Sequence, residues 1–397
     1  MDFYVIGIEL LKGIGLFFLH PLFYILVLFS LFLGYKRVQR ERKDFQTRVY
    51  DSVDELITPL VPGLLAGLLL SITIISLGII LPVGVIVLFS LVYVAIFLTG
   101  QVRWLSAAYT GSLTLIIALF LPQFETGTTL IDKWISEINQ VQLGGIAILI
   151  GLLIFIEGVL ILKNGSKQSS PKILKSKRGK TIGAHVSRKI WIMPVLFLLP
   201  IGVIPVADFW PLISTQSTQV GFVMVPFAIG FQQVVRSTLP VHAIINYGKR
   251  VLLVGIVVIG LAILSLYVPI VIPFAAVIAL LGRELIEISQ KIREENEINM
   301  YTQRENGLVI LGVIPKSPAS KMNVQVGEVI TKVNSVRVKT NQQFYEALQI
   351  NSAFCKLEII DENGEIRFAQ TALYDGKHHQ VGLLFVHQDK NNAEEVI

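Results

Sequence analysis

Charge and cysteine are what this chain has least of. Asp, Glu, Lys and Arg make up 16% of its 397 residues, where an ordinary soluble chain carries about a quarter. Hydrophobic residues reach 53% and mean hydropathy is +0.66, so the sequence reads as a membrane protein with a soluble appendage. Cys355 is the lone cysteine, which excludes an internal disulfide and fits a reducing compartment. Its stretch "AFCKLEII" alternates, placing Cys355, Leu357 and Ile359 toward a core and Lys356 and Glu358 toward water, a pattern for a buried, inert thiol. Chemical signatures are also missing. There is no His-Glu-x-x-His helix, no Gly-x-Ser-x-Gly with membrane histidines and no phosphate-cradling glycine loop. Nor are there paired midplane carboxylates or matched, interrupted half-repeats of the transporter kind. No enzymatic activity, metal or cofactor is expected, and the membrane half reads as a platform.

The net charge of +6 does not point to nucleic acid, because the basic residues flank apolar runs, where they report membrane orientation. The run 13–35 is long enough to cross a bilayer, which takes about 20 apolar residues, and lacks the features of a cleaved leader. The loop after it carries Lys36, Arg37, Arg40, Arg42, Lys43 and Arg48, so it is placed inside and the N-terminus outside. Further spans are expected at 59–81, 83–100, 104–121, 143–162, 190–206, 219–235, 251–267 and 269–282. Basic loops at 163–189 and 236–250, and an acidic one at 122–142, agree with nine crossings, N-out and C-in. Residues 251–282 read as two short helices folded at Pro269 and Pro273, or as one tilted span. The division is then a membrane domain over 1–282, a stalk over 283–303, a soluble domain over 304–388 and a tail over 389–397.

Two ionisable positions fall inside spans, Glu157 and His20, and neither has a partner legible in the sequence. Glu157 reads as a packed or snorkelling group or as a functional one. His20 precedes Pro21 and reads as a polar contact at a kink. Gly63 and Gly67 have the spacing that lets two helices approach closely.

The stalk "RELIEISQKIREENEINM" has helical periodicity in Leu285, Ile288 and Ile292, with a Glu287–Lys291 pair at i, i+4. Beyond it, a strand from Leu308 to Ile314 leads to Ser317-Pro318-Ala319, a helix start. A turn at Gly327-Glu328, the strand "VITKVN", a turn at Asn334-Ser335 and the helix "NQQFYEALQI" follow. These residues resemble a PDZ domain, departing at Glu328 (aspartate in the family) and Ser335 (glycine). The resemblance implies an α+β domain that takes a peptide C-terminus as an added strand, its carboxylate held by a glycine-hydrophobic loop. That loop normally comes first. Here "NMYTQREN" offers nothing like it, and Val381-Gly382-Leu383-Leu384-Phe385-Val386 closes the domain, as in a circular permutant. The expected groove lies between strand 382–387 and helix 341–350, with Asn341, Tyr345 and Leu348 on its helical wall. A plain core strand is the other reading of "VGLLFV". The acidic-aliphatic end Glu395-Val396-Ile397 suggests a tail that could fold back into this groove, its own or a neighbour's.

From end to end, and in "KGIGLFFLHPLFY" and "RERKDFQTRVYDSVDEL" especially, the chain resembles the MinJ family of polytopic, PDZ-containing division proteins of Gram-positive rods. The resemblance implies an adaptor at poles and septa, linking DivIVA to MinD, and so to MinC, and touching divisome membrane proteins. Anionic lipid of the inner leaflet is the expected partner of the basic loops. A PDZ-bearing component of a membrane proteolytic or quality-control pathway, presenting protein C-termini to a separate protease, is the alternative.

Overall fold

Not every long apolar run becomes a helix. The computed structural model describes residues 3–206, 210, 213, 219–351, 353–373 and 381–386, so the tail 389–397 and its proposed return into the groove lie outside the described residues. The chain opens with α1 (Phe3–Leu19) and α2 (Pro21–Phe45), divided at His20, whose Nδ1 accepts the Leu22 N–H while Pro21 starts the new helix. Next come α3 (Asp54–Leu77), α4 (Val83–Leu98), α5 (Ala107–Phe120), the amphipathic α6 (Thr129–Gln140) and α7 (Leu143–Asn164). A three-stranded antiparallel sheet follows: β1 (Ser170–Lys175), β2 (Thr181–Pro205) and β3 (Gln219–Val235), with β2 central. Then α8 (Pro240–Ser265) and α9 (Ile272–Asn296) fold back on one another through a turn at Pro269–Val271. By length and composition α2, α3, α7, α8 and α9 can each cross a membrane, while α4 and α5 are apolar but shorter.

The segments 190–206 and 219–235, expected as helical spans, are instead the long arms of β2 and β3. Continuous apolar runs leave helix and strand undecided by periodicity, and here prolines tip the balance. Pro194, Pro200 and Pro226 would each remove an interior helical hydrogen bond. In the hairpin Pro194 lies opposite Pro226. The same register makes alternate residues of β2 face away from β3, and Pro194 is one of them, so neither proline breaks the ladder.

Strand backbone among membrane helices is tolerated only where protein covers it. Helices cover both edges of this hairpin. Ser71 Oγ accepts the Leu196 N–H at 2.8 Å, Leu81 N donates to Leu198 O at 2.8 Å, and Tyr93 Oη donates to Ala228 O on the far edge at 2.9 Å. The Gly63/Gly67 spacing therefore serves a strand, not a second helix. A Cβ at Gly63 would lie 2.5 Å from Ile192 O, and one at Gly67 2.5 Å from Pro194 O. Four helical residues rise about 6 Å and two strand residues about 6.6 Å, so Gly63, Gly67 and Ser71 step along α3 in near register with 192, 194 and 196 on β2.

The last helix runs unbroken into the stalk as far as Asn296, with its faces the reverse of a soluble helix. Leu285, Ile288 and Ile292 are exposed, and Arg283, Ile286, Gln290 and Glu294 are buried. Glu287 turns inward to Arg283 and Tyr247 instead of pairing with Lys291.

The C-terminal domain contains β4 (Leu308–Val309), β5 (Gly312–Val313), α10 (Pro318–Lys321), β6 (Val329–Val333), β7 (Val336–Arg337), α11 (Asn341–Gln349), β8 (Phe354–Ile360), β9 (Ile366–Ala372) and β10 (Leu383–Leu384). Its sheet runs β4-β6-β8-β9, with β7 on β6 and a separate β10–β5 pair. Ser317 caps α10, its Oγ accepting the Ser320 N–H. The two departures from the PDZ pattern have local answers. Glu328, longer than aspartate, reaches across to receive a fork from Arg367 at 2.6 and 2.8 Å. Asn334 and Ser335 both take positive φ (48° and 74°) in the tight β6–β7 turn. Cys355, Leu357 and Ile359 are fully buried, and burial pushes the Cys355 thiol up to about 12.

This domain does not hang free from its stalk. A second apolar cluster joins Phe45 and Val49, from the end of α2 and the loop after it, to Tyr301, Val309, Leu311 and Leu384. His185 on β2 is 3% exposed and donates from Nε2 to Leu311 O at 2.8 Å, while its Nδ1 accepts from Ser169 Oγ at 3.0 Å. Gly183 N donates to Tyr301 O and Met300 N to Arg236 O, both at 2.8 Å. The domain thus rests on residues from the segments 36–55, 163–189 and 236–250, all three rich in Lys and Arg, though in the first of them Asp and Glu nearly balance the charge. A helix pair or a strand hairpin over 190–235 returns the chain to the same end, so the altered secondary structure leaves this grouping intact.

Candidate functional site

The glycine loop before β10 is built by its backbone. Gly382 takes φ +87°, and a Cβ there would lie 2.2 Å from Ser317 Cβ, so only glycine fits. Gly382 O accepts from Ile314 N and Val381 O from Ala319 N, tying the loop to the start of α10. In the β10–β5 register Leu383 pairs with Val313 and Leu384 with Gly312. Antiparallel pairs alternate, and with Gly382 and Leu384 bonding toward β5, the Leu383 backbone groups point to the opposite edge. Among the described residues no strand pairs with that edge.

The residues expected to form the groove divide into three groups. Val381, Leu383, Phe385 and Leu348 are buried in the domain core, where Phe385 packs on Phe344 at 5.0 Å. Leu384 and Val386 face the membrane domain in the second cluster. Asn341 and Tyr345 remain at the groove, and Tyr345 is 39% exposed.

A cavity of about 1130 Å³ continues the groove past its Phe385–Val386 end. Asn341, Tyr345, Phe385 and Val386 form one wall. The membrane domain forms the other, with Lys43, Phe45 and Gln46 from the end of α2 and Ile173 and Lys175 from β1. Sequence pattern gave no hint of this second wall, because it requires the docking of the two domains. Among the described residues no cluster of three or more His, Cys, Asp or Glu is placed to hold a metal ion.

Inside the membrane domain, Glu157 has partners that the sequence did not reveal. Its Oε1 lies 3.3 Å from Arg283 Nε, and its Oε2 accepts from Ser106 Oγ at 2.7 Å and from Ala107 N at 2.9 Å. Arg283 also bonds the Tyr247 hydroxyl and lies 3.6 Å from Glu287. The cluster joins α5, α7, α8 and α9, and Glu157 and Arg283 are essentially inaccessible. Arg283, which directly follows the last apolar run expected as a span, is the missing counter-ion. His20 does what its position suggested, capping α2, with Nε2 3.5 Å from Ser90 Oγ.

Comparison with known proteins matches the PDZ domain family over residues 309–357. The chain is 38% identical over 390 residues, 97% of each chain, to the cell division topological determinant MinJ of Bacillus subtilis (strain 168). It is 27% identical over 250 residues, 60% of this chain and 65% of the relative, to the probable cell division topological determinant MinJ of Lacticaseibacillus paracasei. No solved structure matches. A polytopic helical membrane domain, a PDZ domain closed by its own last strand, and this end-to-end identity lead to one conclusion: the chain belongs to the MinJ family of cell-division topological determinants.

Proposed function

We propose that the chain is a non-enzymatic membrane adaptor in division-site selection, present at poles and septum, that links DivIVA to MinD and hence MinC. The observation that carries this is the docking of a peptide-binding domain onto the three Lys- and Arg-rich segments, with its groove opening beside them. By the positive-inside rule those segments and the PDZ domain lie in the cytoplasm, where each Lys or Arg adds about 1 kcal/mol of attraction to an anionic leaflet. Confinement to the membrane plane raises the effective concentration of partners already there, so a weak groove suffices.

The test is capture of the full chain from cross-linked cells, wild type against Tyr345→Glu. DivIVA and MinD are expected with the wild type, and a partner held in the groove falls by about tenfold in the variant. Recovery of a membrane protease and its substrates, without division proteins, would favour the quality-control alternative. Gly382→Trp, an obvious groove block from sequence, is a poor probe, because any Cβ there collides with Ser317 and unfolds the loop.

A further inference from the structure

Four cationic side chains crowd the seam between α2, α3 and β2. Arg37 is the best matched: its guanidinium lies 3.3 Å from Glu55 and 3.8 Å from Glu41 and donates to Asp51 O at 2.8 Å, although its Nε is buried without a hydrogen-bond acceptor. The others are less well matched. Among the described residues Arg40, Arg188 and Lys189 have no carboxylate within ion-pair distance; Arg40 donates from Nη2 to Ser170 Oγ at 2.6 Å, but Arg40 Nε, Arg188 Nε and Lys189 Nζ are buried without a hydrogen-bond acceptor. Lys189 is 1% exposed. The neighbouring carboxylate Glu41 is already engaged, with Oε1 receiving Ser170 Oγ at 2.6 Å and Oε2 receiving Val49 N at 2.7 Å. Including the nearby Lys172, Asp44 and Asp54, five cations face four carboxylates. Buried donors without acceptors are costly, and more so when charged. The cluster is short of one singly charged acceptor.

Its position says where that acceptor comes from. Leu28, Phe32 and Tyr35 on α2 and Ile57, Leu60 and Val61 on α3 form an exposed apolar surface, and the cluster begins just beyond it on both helices. That is the level of lipid headgroups. Arg37, Arg40, Glu55, Gln168, Ser170 and Arg188 line a crevice there, packed too closely to admit a water. An anion therefore reaches Arg40 and Arg188 only from the outer lip, where both residues are half-buried, and offsets the charge of the deeper donors without touching them.

We propose that Arg40 and Arg188 form a site for one phosphate group, that of an anionic phospholipid at the inner face of the membrane domain. A phosphodiester carries the single negative charge that the cluster lacks, and its paired oxygens match the planar donor fork of arginine. The site is separate from the peptide groove and does not depend on the division role.

Native mass spectrometry of the full chain in neutral detergent tests it, with phosphatidylglycerol, phosphatidylcholine or inorganic phosphate added. Phosphatidylglycerol should be retained over phosphatidylcholine, and Arg40→Gln with Arg188→Gln should lower its retention by about tenfold. Arg178→Gln with Lys180→Gln, which removes the same charge from an exposed turn, should leave it within about twofold. Release of bound lipid by inorganic phosphate would show a site that also takes the free ion, and no release would assign it to the lipid headgroup. Equal retention by the folded double variant, or equal loss in the control, would overturn the proposal. Should the double variant not fold, Arg188→Lys keeps the charge but loses the fork, and undiminished retention there would overturn it as well.

Discussion

Removing one member of the Glu157–Arg283 pair leaves the other charge buried among α5, α7 and α9 with no counter-ion. Arg283→Ala should therefore destabilise the membrane domain by about 3–5 kcal/mol, and replacing both residues by leucine should recover part of that loss. Unfolding of the detergent-solubilised chain measures both, and additive losses would deny the coupling. His185 offers a pH test. Burial holds its imidazole neutral, at about 4 instead of the ordinary 6.5. Its contribution to docking is complete above the unfolded value and is lost as pH falls from about 6.5 through about 4, because the undocked state takes the proton first. Proteolysis of the 297–306 linker should quicken over that interval in the wild type, while His185→Gln should show a flatter profile. An identical pH dependence in the variant would remove His185 from the joint.

At the scale of elements, Gly67→Ala should cost about 1–3 kcal/mol, because its Cβ would press on Pro194 O at the strand edge. Gly7→Ala, with nothing within 4 Å, is the matched control. Equal melting temperatures for the two would contradict helix-on-strand packing. The same region marks how far sequence could be read. The PDZ elements were legible because short alternating strands, Ser-Pro-Ala and a tight turn follow one another in a fixed order. The arms 190–205 and 219–235 were not, since a continuous apolar run has no period to distinguish helix from strand. Prolines 194, 200 and 226 were the available signal. Arg283 was missed for a related reason: it directly follows an apolar stretch, where flanking and buried charges look alike. The glycine loop and the strand after it were legible as a closing strand of the domain, but the cavity beside them depends on docking, which no local pattern encodes.

For the whole molecule, the PDZ domain and the three Lys- and Arg-rich segments share one end, and the proposed role requires that end to face the cytoplasm. A phosphatase reporter fused after Val268 should be active and one fused after Met300 inactive, with activity after Met300 arguing against a cytosolic adaptor. The most direct measurement of the central claim is the position of a fluorescent full-length fusion in growing cells, together with the division pattern when the chain is removed. The account predicts signal at poles and septa, with minicells or filaments on deletion. A uniform envelope signal with normal division would contradict it.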